Sequence, residues 1–151
     1  LPKKFITTQW DAQQKFRQIS GERINQVEKY YKDQGCAIVH LEGDYVKSLP
    51  LEDIWYILKR AEYHVGTDSG MMHMARLVLP PERLHIYAEL KDRDDGRTPD
   101  NKNLNLQARE LIRRGAKLNP IDNLDKSIIE YYSDPDIFIG YKKEDYVKPS
   151  N

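Results

Sequence analysis

Along the chain, short apolar runs alternate with stretches whose apolar residues recur every three or four positions. Phe5 and Ile6, set between polar ends from Lys3 to Trp10, predict a first strand closing on Thr7-Thr8-Gln9. Asp11 to Ile19 shows no period, with Lys15 and Arg17 flanking Phe16, and reads as a loop. Ser20 is placed to cap a helix with the stripe Ile24, Val27 and Tyr31, and Gly35 stands where a left-handed residue would end it. Cys36 to Leu41 is almost continuously apolar, the pattern of a parallel strand covered on both faces. Glu42-Gly43-Asp44 breaks it. Pro50 suits the first turn of a helix carrying Leu51, Ile54, Trp55 and Leu58 on one face.

Next come the strand-like Tyr63-His64-Val65, the turn Gly66-Thr67-Asp68-Ser69-Gly70, and a helix with Met71, Met74, Ala75 and Val78 at helical spacing. Pro80-Pro81 ends that helix, and Leu84 to Tyr87 makes a fourth strand. Strands alternating with helical connections predict an α/β fold, a Rossmann-like, mostly parallel sheet with helices on both faces. This core is expected over residues 1–90, and residues 91–151 are expected to form a helical C-terminal extension packing on the core or on a partner domain. In that region Lys91 to Asn103 is polar, and its acidic spacing does not fit a calcium loop. Leu104, Ala108, Leu111 and Ile112 mark a helix closed by Gly115, and Leu124, Ile128, Ile129 and Tyr132 another. The tail from Asp134 alternates aromatic and charged residues around Ile137-Phe138-Ile139.

Composition narrows the function. Lys plus Arg and Asp plus Glu both number 24, so no net field points to nucleic acid. No run is long and apolar enough to span a membrane, and a cytoplasmic location is expected, possibly at the inner face of a membrane. The single cysteine, Cys36, lies in an apolar run and reads as a buried strand thiol. The chain opens on Leu1 rather than Met, which reads as a segment of something longer or a processed product.

Ligands of open parallel sheets bind at the carboxyl ends of the strands, where the polar clusters of this chain are expected. Thr7 and Thr8 would end the first strand, Glu42 the second, and Asp68, Ser69 and Gly70 the third, with Lys15 and Arg17 in the first loop. Hydroxyls, helix N–H groups and one or two cations make a diphosphate cradle, and a nearby carboxylate suits ribose hydroxyls. No G-x-G-x-x-G follows the first strand and no Walker lysine motif occurs, so dehydrogenase and P-loop readings fall away. His64, His73 and His85 cluster near the turn, but without H-E-x-x-H or a second ligand at helical spacing from His73 no metal site is expected. Ser69 lacks the G-x-S-x-G setting of a hydrolase nucleophile and is more simply a helix cap.

The run Gly66-Thr67-Asp68-Ser69-Gly70-Met71-Met72-His73-Met74-Ala75 resembles the G-x-D-[ST]-G-x-x-H-x-A signature of the heptosyltransferase-like glycosyltransferases, glycosyltransferase family 9. Thr7-Thr8 followed at a short interval by Lys15 is similar to that family's contacts to the donor diphosphate. The resemblance covers about the first 90 residues and implies the C-terminal, nucleotide-sugar-binding half of a GT-B fold. It implies inverting, metal-independent transfer, with the nucleotide-diphosphate sugar as substrate and no further cofactor. Thr7, Thr8, Lys15, Arg17, Ser69 and Gly70 would hold the diphosphate, and Glu42, Asp68 and His73 the sugar or ribose. The catalytic base and the acceptor, a glycan or another hydroxyl compound, would belong to a separate N-terminal Rossmann-like domain or partner subunit. The alternative is a non-catalytic Rossmann-like binding or structural subunit of a larger assembly.

Overall fold

The structure is a computed structural model of the 151-residue chain, and it describes residues 1–10, 19–67, 70–88, 106–120 and 135–140. Five strands form one all-parallel sheet: β1 (Phe5–Gln9), β2 (Ala37–His40), β3 (His64–Gly66), β4 (Leu84–Ala88) and β5 (Lys117–Pro120). Their order is β2-β1-β3-β4-β5. The fold is therefore α/β and Rossmann-like, with its order reversing at β1. The chain moves to one side from β1 to β2, crosses back over β1 to β3, and then continues outward.

Right-handed crossovers put the connection before the reversal on one face and those after it on the other. The helix α1 (Gly21–Lys32) covers the first face. Ser20 caps it as expected, accepting from the Arg23 N–H at 3.3 Å, and Gly35 takes a φ of 88° just beyond its end. Val27 and Tyr31 of α1 pack there with Ile6, Trp10, Cys36, Val65, Tyr87 and Ile139. On the opposite face, α3 (Leu51–Arg60), α4 (Gly70–Ala75) and α5 (Leu106–Arg113) enclose the larger core around Phe5, Leu41, Leu58, Met72, Leu84, Ile86 and Leu118. A short helix, α2 (Gly43–Lys47), precedes α3 and was not foreseen.

Several expectations need correction. The strand β2 is an edge strand, half-buried rather than covered on both faces, because the crossover to β3 leaves it with β1 as its sole neighbour in the sheet. The buried stripe of α3 is Ile54, Ile57 and Leu58; Leu51 and Trp55 are 46% and 37% exposed. In α4 it is Met72 and Ala75 that are fully buried, while Met71 and Met74 pack at the margin. The sheet also does not stop near residue 90: α5 leads, through Gly115 at a φ of 124°, into β5, which pairs with β4 from His85↔Lys117 to Ala88↔Pro120. Of the expected helical extension, α5 therefore belongs to the sheet's own α/β pattern, and the helix expected around Leu124 to Tyr132 lies outside the described residues. Ile137 and Phe138 of the tail are buried in the larger core, and the Ile139 N–H donates to the Leu118 carbonyl at 2.9 Å.

Candidate functional site

The reversal of strand order lies between β1 and β3, and the crevice beyond their carboxyl ends is where open α/β sheets receive ligands. Side chains of a strand alternate between faces, so those facing α1 fall into successive rows across the sheet. Nearest the amino edge the row holds Ile6 and Ile38, both apolar. The next is mixed: Thr8 pairs with His40 and Val65, and Val65 with His85. At the carboxyl edge, one step past the Gln9↔Gly66 and Gly66↔Ile86 pairs, come Glu42, Trp10, Thr67, Tyr87 and Asn119. Each member of this last row carries a hydrogen-bonding group, so the α1 face grows more polar toward the crevice.

The row is tightly held. A Glu42 carboxylate oxygen accepts the Trp10 backbone N–H at 3.0 Å, fastening the end of β2 to that of β1. The Thr67 N–H reaches the Gln9 carbonyl at 3.3 Å, extending the β1–β3 ladder. A Cβ on Gly66 would stand 2.2 Å from that same carbonyl oxygen, so the close approach of the two strands requires glycine. The Trp10 ring meets Tyr87 edge-on at 5.9 Å. Tyr87 shares a 2.9 Å hydroxyl contact with Tyr31, whose oxygen also lies 2.6 Å from His85 Nδ1. Burial among these rings drives the Tyr31 and Tyr87 phenols upward in pKa and lowers His85 to about 3, so all three are neutral at pH 7. Two polar atoms of the row are buried with no hydrogen-bond partner among the described residues: Trp10 Nε1 and Thr67 Oγ1. Each such group costs about 1–3 kcal/mol unless something completes it.

The sequence-selected residues divide among three situations. Thr7 and Thr8 lie within β1, not beyond it, and both are closed to solvent. Their hydroxyls sit 2.9 Å from the Nδ1 atoms of His64 and His40, the residues opposite them on β3 and β2. The threonines thus pair strands together instead of pointing out of the sheet. Glu42 and Gly70 do reach the carboxyl edge, Gly70 as the exposed first residue of α4 with open space around its Cα. His73, half-buried, lies one turn further along α4. Lys15, Arg17, Asp68 and Ser69 lie outside the described residues. Sequence reasoning missed Trp10, Tyr87 and Asn119, and passed over Thr67 as part of the turn; strand register is the signal that joins them.

One further array invites a chemical reading. Glu28 of α1 stands 3.6 Å from His40 Nε2, and His40 in turn contacts Thr8. Carboxylate, imidazole and hydroxyl stand in the sequence of a proton relay, but the Thr8 hydroxyl is sealed in the sheet and cannot meet a substrate. The array ties α1 to β2 and β1. On the other face, His64 is entirely buried and held at about 3 by desolvation, so it is a neutral partner for Thr7 rather than a cation for phosphate. Among the described residues, no group of three or more His, Cys, Asp or Glu side chains converges as a metal site, and no helix is long and apolar enough to cross a membrane. Comparison with family models, with curated proteins and with solved structures found no match to this chain.

Proposed function

We propose that this chain binds a nucleotide-diphosphate sugar at the carboxyl edge of its sheet, as the donor half of an inverting, metal-independent glycosyltransferase. The observation that carries the reading is the reversal of strand order between β1 and β3, with the Gly66-Thr67-Asp68-Ser69-Gly70 segment leaving β3 in the chain. A ligand there meets the Glu42 carboxylate and the start of α4 at Gly70 together. In this reading Lys15 and Arg17 offset diphosphate charge, and Asp68 and His73 orient the sugar. In this reading the Glu42 carboxylate, fastened to the Trp10 N–H, also accepts from a ribose diol. The hydroxyl contacts first assigned to Thr7 and Thr8 fall to Ser69, since those of β1 are committed to histidines. The six-residue α4 has too few aligned peptides for a strong dipole, so the cations of the first loop carry most of the charge compensation. The acceptor and its base come from another domain or subunit.

Calorimetric titration of the chain with ADP, UDP and GDP tests the reading. Saturable binding of at least one, with no sugar transfer by the isolated chain, is the expected result; no heat from any of them at millimolar concentration sinks it. The alternative, a non-catalytic structural subunit, is favoured by the exposed Tyr45, Leu51, Trp55 and Tyr56 on α2 and α3. It predicts no nucleotide affinity and association through that face.

A further inference from the structure

A second concavity opens on the α1 side, between the first turns of α1 and the ends of β4 and β5. It encloses about 320 Å³ and is lined in part by Arg23, Gln26, Tyr30, Tyr87 and Asn119. Among the described residues, none of those assigned above to the diphosphate or the ribose lines it. We propose that this cleft is a subsite for a neutral saccharide.

The chemistry of the lining carries the inference. Asn119 donates through Nδ2 to the Ile139 carbonyl at 2.7 Å, which fixes the amide plane and leaves Oδ1 as an acceptor. Gln26 accepts from the Arg23 guanidinium through Oε1 at 3.2 Å, which leaves its NH₂ group as a donor. Sugar hydroxyls both donate and accept, so two oriented amides that present opposite functions suit a vicinal diol. Tyr30 is 42% exposed and meets Tyr31 only edge-on, at 5.1 Å and 86°, so its ring offers a platform for the C–H face of a pyranose. A nucleobase is better held between two ring faces, and the second ring here, Tyr87, is 3% exposed with Trp10 against it. An anion is poorly served: Arg23 is the one cation among the described lining residues, and its guanidinium already donates to Gln26. Binding of this saccharide does not depend on the donor reading above, which draws its acceptor from another domain or subunit.

The test is a titration of the isotope-labelled full chain, followed by amide NMR, with maltotriose and with di-N-acetylchitobiose. Adenosine, uridine, ADP, UDP and GDP are titrated in parallel. At least one saccharide is expected to give saturable shifts at the amides of Arg23, Gln26, Tyr30 and Asn119. Tyr30→Ala and Gln26→Ala, both at exposed positions of α1, should weaken that binding by about tenfold or more while the thermal midpoint holds. Absence of shifts with both saccharides, or shifts that persist unchanged in the two variants, overturns the proposal. So does a nucleoside that moves those amides when the saccharides do not, which reassigns the cleft to a base. Saccharide binding without binding of ADP, UDP or GDP refutes the donor reading alone, and binding of any of these three without saccharide binding refutes the subsite alone.

Discussion

The 2.2 Å gap between a Gly66 Cβ and the Gln9 carbonyl oxygen is a clash of backbone against side chain, with no flexible group to yield. Gly66→Ala must therefore part β1 from β3 where the strand order reverses. A loss of about 3 kcal/mol, the upper end of overpacking, is expected in chemical denaturation; a loss below about 0.5 kcal/mol would mean that the two strands do not approach so closely. The buried histidines set a second residue-scale expectation. His64 and His85 are held at about 3 by desolvation, whereas in the unfolded chain they titrate near ~6.5. Between those values the unfolded state binds protons that the fold refuses, so stability is complete above about pH 6.5 and falls as pH drops toward 3, by roughly 1.4 kcal/mol per pH unit for each histidine. Urea midpoints should decline steeply from pH 7 to pH 5. An imidazole signal of His64 titrating near neutrality in the folded protein would contradict the assignment. These two histidines were visible in the sequence, but their partners Thr7 and Tyr31 lie 57 and 54 positions away and follow only from register and packing.

At the scale of elements, the local signals that held were those with a local cause. Ser20 and Gly35 bracket α1 because a cap oxygen and a left-handed residue act within one turn of the helix end. By contrast, β5 was missed because Lys117-Leu118-Asn119-Pro120 offers a single apolar side chain and ends in proline, a residue at home on an edge strand. What makes it a strand is β4 on one side and the larger core beneath Leu118, which is fully buried. Leu118→Ala should thus cost about 2–5 kcal/mol of global stability, as a cavity in a shared core does. Unfolding should remain a single transition. A variant that melts residues 106–120 separately, seen as early hydrogen exchange of α5 and β5, would restore the boundary near residue 90. The exposed Leu51 and Trp55 show the same dependence from the other direction: helical spacing marked Leu51, Ile54, Trp55 and Leu58 on α3, and packing on the sheet buries Ile54 and Leu58 of these together with Ile57.

For the whole molecule, 24 basic and 24 acidic residues leave no long-range field, so any diphosphate must be held by cations placed at the site. Lys15, in the first loop and outside the described residues, is the best placed of them in sequence. Lys15→Ala is expected to weaken nucleotide binding by roughly 1–3 kcal/mol while the unliganded thermal midpoint stays within a degree or so, as for a lysine whose charge serves the ligand rather than the fold. Equal affinity in the variant and the parent would remove the charge argument for the donor site. The α/β class, the first four strands and the caps of α1 were legible in the sequence by itself, because period, apolar continuity and cap chemistry are properties of neighbouring residues. Only the tertiary structure decided that β2 is an edge, that β5 closes the other side, and that Thr7 and Thr8 face histidines rather than a ligand. It alone assembled Glu42, Trp10, Thr67, Tyr87 and Asn119 into one row, because strand register is a pairing between distant segments and no single segment encodes its partner's position.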